Sequence, residues 1–118
     1  MSTATIKAAL SFYDGDTSEV MSDGPTTFSL TGTKILRNRQ TVGTSAEVLI
    51  VGDITSPGYA IIKNLDSTNY IEVQAGASEV APIKVSAGKF CVVEFTVAAP
   101  YVIADTASVE IEYLLLSQ

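Results

Sequence analysis

The acidic residues are the side chains whose types and spacing could do chemistry. Glu110 and Glu112 stand two positions apart, and two carboxylates facing one cleft could serve a glycosidase. Residues at i and i+2 of a strand share a face, so this pair instead predicts a solvated or partner-facing surface. Asp14–Glu19 alternates oxygen-bearing side chains like the start of a calcium loop, but it lacks the glycine at position six and the glutamate at position twelve. We interpret it as an acidic loop tip, and we expect no metal and no cofactor.

Other catalytic side chains are scarce. The 118 residues include no histidine and one cysteine, Cys91, inside the apolar run Phe90–Val93. A nucleophilic thiol needs a neighbouring base, whereas a cysteine in an apolar run packs as a small hydrophobe. We therefore expect Cys91 to be buried and inert, and the protein not to be an enzyme.

The charge balance restricts the partners. The net charge is −6, which opposes the phosphate contacts on which nucleic-acid binding depends. Lys34, Arg37 and Arg39 nevertheless place three of the seven basic residues within six positions. They could bind an acidic patch on a partner protein, or they could form a solvated loop. We keep all three as candidate interface residues.

Alternation of apolar and polar residues predicts strands along the whole chain. The first runs from Thr5 to Phe12, followed by an ordered loop over Tyr13–Thr26 and a second strand from Thr27. The contiguous apolar residues of Glu47–Ile54 predict a strand buried on both sides at a sheet centre. Polar turns predict two hairpins, one joining Tyr59–Asn64 to Asn69–Gln74 around an Asp66 turn, the other joining Pro82–Val85 to Lys89–Val97.

The last segment, Ala107–Leu116, also fits a helical stripe, but Val109, Ile111 and Tyr113 favour a strand. Leu114 and Leu116 share a face with the two glutamates, so one end of a solvated face turns apolar. We predict that Tyr113–Leu116 is a strand edge that packs against a neighbouring copy or another partner. Tyr113, Leu114 and Leu116 are thus the other candidate interface residues.

These elements predict an all-β protein, a single β-sandwich or jelly-roll-like domain of about eight short antiparallel strands over residues 1–118. No apolar run approaches the roughly 20 residues needed to cross a bilayer, and Met1–Lys7 does not have the pattern of a secretion leader. We expect no membrane partner and synthesis in a cytoplasm.

The second half of the chain resembles small virion proteins of tailed bacteriophages. The segments that carry the resemblance are Ile62–Asp66, Asn69–Val73, Pro82–Lys89, Ala104–Ala107 and Val109–Leu116. The resemblance implies a β-sandwich on the capsid or in the neck and tail. Its most specific implication is a capsid decoration or cement protein on the capsid exterior, made in the host cytoplasm. Such a protein binds the major capsid protein as a homo-oligomer, for example a trimer, and many weak contacts add up across the lattice.

Two other functions remain open. One is a neck, tail or fibre component of a virion. The other is a carbohydrate-binding sandwich, which the absence of tryptophan disfavours because sugar faces usually stack on aromatic rings.

Overall fold

The structure is a computed structural model that describes residues 2–118. Within them every regular element is a β-strand and every strand pair is antiparallel, so the predicted all-β fold is confirmed. The strands are β1 (Ser2–Tyr13), β2 (Ser18–Leu30), β3 (Ile35–Val42), β4 (Glu47–Val48), β5 (Pro57–Asn64), β6 (Ile71–Gln74), β7 (Ile83–Val85), β8 (Phe90–Glu94), β9 (Tyr101–Ala104) and β10 (Val109–Ser117). The chain divides between Thr31 and Gly32 into two compact units, a hairpin and an eight-stranded sandwich.

The first unit is a long hairpin of β1 and β2. Its turn is short: the Asp14 carboxylate accepts a hydrogen bond from the Thr17 N–H at 2.8 Å, and the Asp14 N–H donates to the Thr17 carbonyl at 3.1 Å. The prediction of a loop over Tyr13–Thr26 is therefore wrong. Asp23-Gly24-Pro25, which has the composition of a turn, instead lies within β2 at a shift of register. Gly24 has φ +94°, and a Cβ there would lie 2.5 Å from the Ile6 carbonyl oxygen, so only glycine fits this bulge.

The second unit, Gly32–Gln118, is a sandwich of two four-stranded sheets. The first sheet has the order β3-β10-β5-β8 and the second has the order β4-β9-β6-β7. The pairs are nested along the sequence, so that the first strand of the unit pairs with the last: β3 pairs with β10, β4 with β9, β5 with β8 and β6 with β7. A double ribbon of this kind, rolled into two sheets, is a jelly roll.

The two hairpins predicted from the polar turns are wrong. β5 and β6 belong to different sheets, and so do β7 and β8. The Asp66 turn is confirmed, since the carboxylate accepts hydrogen bonds from the N–H groups of Asn69 at 2.7 Å and Thr68 at 3.0 Å. These two backbone bonds lower the pKa of the Asp66 carboxyl. The turn moves the chain from one sheet to the other instead of reversing it within one.

The core lies between the sheets and is made by alternate residues of their strands. Its buried residues are Val42, Leu49, Ile54, Ala60, Ile62, Ile71, Val73, Val85, Phe95, Val102, Ala104, Val109, Ile111, Tyr113 and Leu115. Every second residue of β10 from Val109 to Leu115 is buried, which confirms that this segment is a strand and not a helix. Full burial of each large apolar side chain stabilises the fold by roughly 1.5–3 kcal/mol.

The segment Glu47–Ile54 is not a central strand. Only Glu47 and Val48 form a strand, and β4 lies at an edge of the second sheet. Leu49 and Ile54 are buried, whereas Ile50 is 50% exposed. The reason is a change of partner: the Ile50 N–H donates to the side-chain oxygen of Gln40 at 2.9 Å rather than to a neighbouring strand.

A buried polar cluster connects β3 and β10 with this irregular segment. The Tyr113 hydroxyl donates to the Ile50 carbonyl oxygen at 2.5 Å and accepts from the Asn38 amide at 3.1 Å. The Gln40 amide nitrogen donates to the Val48 carbonyl and to the Glu47 carboxylate, at 3.1 and 3.0 Å. Because these side chains bind backbone groups that no strand satisfies, the cluster replaces sheet pairing in this part of the core.

Asn64 gives a test of the inter-sheet turn. It is 2% exposed, its amide donates to the carbonyls of Asn69 and Val85, and its oxygen accepts from the Asp66 N–H. We expect Asn64→Ala to lower the free energy of unfolding by about 2–4 kcal/mol, because buried backbone groups lose their partners. Lys63→Ala, at the exposed neighbouring position, should change it by less than about 0.5 kcal/mol. Chemical denaturation measures both, and equal effects would contradict the role of Asn64.

Tyr113 gives a second test through pH. Burial raises the pKa of the Tyr113 phenol above its ordinary value of about 10. Its contribution to stability is therefore complete below about pH 10 and is lost as the pH rises through the folded-state pKa. We expect Tyr113→Phe to be less stable by about 1 kcal/mol at pH 7, because the Ile50 carbonyl loses its donor. Above pH 10 the variant should lose stability less steeply than the unchanged protein, as measured by denaturation at each pH; parallel pH profiles would contradict this.

Candidate interaction face

The side of the first sheet that points away from the core is the candidate site, and we call it the outer face. Strand register places its residues in rows that cross β3, β10, β5 and β8. The middle row consists of Arg37, Leu114, Ile61 and Val92. The row beside it consists of Arg39, Glu112, Lys63 and Phe90. Directly paired residues of a sheet share a face, so these eight side chains form one continuous surface.

The outer face has an apolar centre that is open to solvent. Val92 is 42% exposed and Phe90 is 64% exposed at the β8 edge, while Ile61 and Leu114 are half-buried beside them. On β3, Ile35 is 69% exposed and pairs with Leu116 of β10. Apolar side chains surrounded by charged ones, on a sheet surface, have the composition of a protein-binding surface rather than of a catalytic cleft.

The basic cluster predicted to bind a partner is paired within the chain. The Arg39 guanidinium lies 3.6 Å from the Glu110 carboxylate and 3.7 Å from the Glu112 carboxylate. Arg37 also contacts Glu112, at 3.6 Å, and Lys34 lies 3.2 Å from the Asp53 carboxylate. Each positive charge of the cluster thus has an acidic neighbour, so its attraction for an acidic partner is weaker than the sequence indicates.

The structure corrects the predicted position of the terminal strand. β10 is not an edge, because it pairs with β3 on one side and with β5 on the other. Tyr113 is 1% exposed and belongs to the core, so a partner cannot contact its side chain. Leu114 and Leu116 are half-buried on the outer face, next to the residues that sequence reasoning missed, Ile61, Phe90 and Val92. Alternation in β8 did indicate that Phe90 and Val92 share a face, but it could not show which face is solvated.

The structure also places the other side chains that the sequence singled out. Glu110 and Glu112 contact the arginines of β3, as described above. Among residues 2–118 no group of three or more acidic or cysteine side chains is close enough to hold a metal ion. Cys91 is half-buried on the core side of β8, and burial raises the pKa of its thiol, which disfavours the reactive thiolate. In the same residues there is no apolar helix of membrane-spanning length.

No known protein family, curated protein or solved structure matches the chain.

The charge pairs of the outer face predict a stability effect. Arg39→Glu would place a carboxylate directly opposite Glu112 and close to Glu110, and opposed like charges destabilise a sheet. We expect the free energy of unfolding to fall by about 1–2 kcal/mol at low salt, and by less in about 1 M salt, where screening is strong. Lys89→Glu, the same charge change in an exposed turn, is the matched control. If the two variants unfold alike at low salt, the pairing contributes nothing.

Proposed function

We propose that the chain is a non-enzymatic structural protein of a tailed-bacteriophage virion, specifically a decoration protein that binds the outside of the capsid lattice. The observation that carries the proposal is the outer face, with its exposed apolar centre and its charged margin. The resemblance of residues 58–118 to small virion proteins supports the identity of the particle. The jelly-roll sandwich agrees with the fold that this resemblance implies.

The mechanism is binding, with no chemical step. The apolar centre consists of Ile61, Leu114 and Val92. When a partner buries this apolar surface, the free energy of binding becomes more favourable by roughly 25 cal/mol for each Å². The neighbouring arginines and glutamates are already paired, so they lose little when they become part of an interface margin and they help to fix orientation. One such contact is weak, but a protein that binds a repeating lattice through several linked copies gains by multivalency.

Capsid binding can be tested directly. Particles of the phage that encodes the chain, assembled without it, are mixed with the purified protein and sedimented. We expect saturable binding at a fixed ratio to the major capsid protein. Phe90→Ser with Val92→Ser should weaken it at least tenfold, because these are the exposed apolar side chains at the β8 edge of the face. Val48→Ser with Val80→Ser, which removes exposed apolar residues elsewhere, is the matched control and should bind normally.

Each alternative has its own result. A few copies per particle would indicate a neck, tail or fibre component instead of a decoration protein. Absence of capsid binding together with saturable binding to an immobilised glycan would indicate a carbohydrate-binding module. Equal loss of capsid binding in both double variants would reject the outer face as the binding surface.

A further inference from the structure

The hairpin of β1 and β2 carries an apolar face that is exposed to solvent over most of its length, while Ala4 is buried and Ile6 is half-buried. Alternation along β1 places a row of apolar residues on one side of the ribbon: Ala4, Ile6, Ala8, Leu10 and Phe12. Strand register adds Met21 opposite Leu10, Phe28 opposite Ala4, and Leu30 at the base. We call this side the hairpin face. The opposite side carries mainly hydroxyl groups, including Thr5 and Thr27, whose side-chain oxygens are hydrogen-bonded at 2.8 Å.

The hairpin face is exposed over most of its length. Every residue from Lys7 to Thr27 is exposed, and Leu10, Phe12 and Met21 are 79%, 56% and 80% exposed. A two-stranded ribbon alone is marginally stable in water, because it has no second layer on which to bury side chains. Twelve residues of β1 span about 40 Å. Covering its apolar side would therefore stabilise a ribbon of this length.

We propose that the hairpin face packs against the hairpin face of a second copy of the chain, so that the protein is a homo-oligomer held together by its hairpins. The first reason is length, because an apolar row about 40 Å long is covered along its whole length only by a partner that is itself extended. The second reason is shape, because a second hairpin has the same length and the same apolar row.

Charge distribution restricts the way in which two hairpins can meet. The hairpin contains Asp14, Asp16, Glu19 and Asp23 but only one basic residue, Lys7. Register places Glu19 and Asp23 on the hairpin face, both on the β2 side, opposite Phe12 and Ala8. The β1 row from Ala4 to Phe12 carries no charge. Two or three hairpins can therefore meet along their β1 rows while the carboxylates stay at the solvated margin, as the uncharged centre and polar margin of an interface require.

Sedimentation equilibrium of the intact chain, from about 1 to 200 µM, tests the proposal. We expect self-association. Leu10→Ser with Phe12→Ser should raise the dissociation constant by roughly 100-fold, because both side chains lie at the centre of the buried row. Tyr13→Ser with Val20→Ser removes two exposed apolar residues from the opposite side and is the matched control, with an expected change of less than about threefold. A monomer over the whole range, or equal dissociation of both variants, would overturn the proposal.

Two variants with one cysteine each test the contact while the rest of the apolar row is kept. In a Cys91→Ala background, Leu10→Cys lies on the hairpin face and Ser11→Cys lies on the opposite side. At about 200 µM protein we expect the Leu10→Cys thiol to react with a thiol reagent at least tenfold more slowly than the Ser11→Cys thiol, because the partner covers it. Equal rates would overturn the proposal. Because both experiments use the protein in solution without particles, their outcome is independent of whether the protein binds a capsid.

Discussion

The sandwich depends on one strand, β10, which lies between β3 and β5 and is hydrogen-bonded along both edges. Its inward residues, Val109, Ile111, Tyr113 and Leu115, are 0–1% exposed and form the centre of the core. The first sheet cannot be continuous without the last residues of the chain, because nothing else joins β3 to the rest of it. The Tyr113 hydroxyl extends this role beyond the sheet, since it binds the carbonyl of Ile50 in a segment that has no strand partner there. Both edges of β10 are therefore hydrogen-bonded to other strands and its inner side is packed in the core, so only its outer side can contact a partner.

The strands could be predicted from the sequence far better than their partners could. Period-two alternation indicates that a segment is extended and which residues share a face, and β10 follows this pattern from Val109 to Leu115. Alternation does not say which strand lies alongside. A short polar turn suggests a hairpin, but Asn64 and Asp66 bind backbone groups so that the chain leaves the first sheet for the second. The jelly-roll order is set by such tertiary contacts, for example between Asn64 and Val85, which are far apart in the sequence.

The candidate site was only partly predictable for a related reason. The cluster of Lys34, Arg37 and Arg39 stands out in an acidic sequence, yet the carboxylates that pair with two of its members come from β10, at the other end of the chain. The density of positive charge in the sequence therefore predicts a stronger attraction of this cluster for an acidic partner than the paired side chains have. Leu114 and Leu116 were correctly assigned to the solvated side of their strand, but for the wrong reason, because the strand is central and not an edge. The longest exposed element, the hairpin, is not predicted as a whole because its second strand contains Asp23-Gly24-Pro25, which has the composition of a turn.

The chain leaves a large part of its apolar side chains exposed to solvent. Hydrophobic residues make up 47% of the chain and charged residues 17%, yet many of the large apolar side chains lie outside the sandwich core. Six of the exposed ones are aligned on two surfaces, Leu10, Phe12 and Met21 on the hairpin face, and Ile35, Phe90 and Val92 on the outer face. Scattered exposed apolar residues are ordinary, but their alignment along one side of a strand or across neighbouring strands creates continuous area that water disfavours. Each surface belongs to a different unit of the chain, so the two proposed contacts use different side chains.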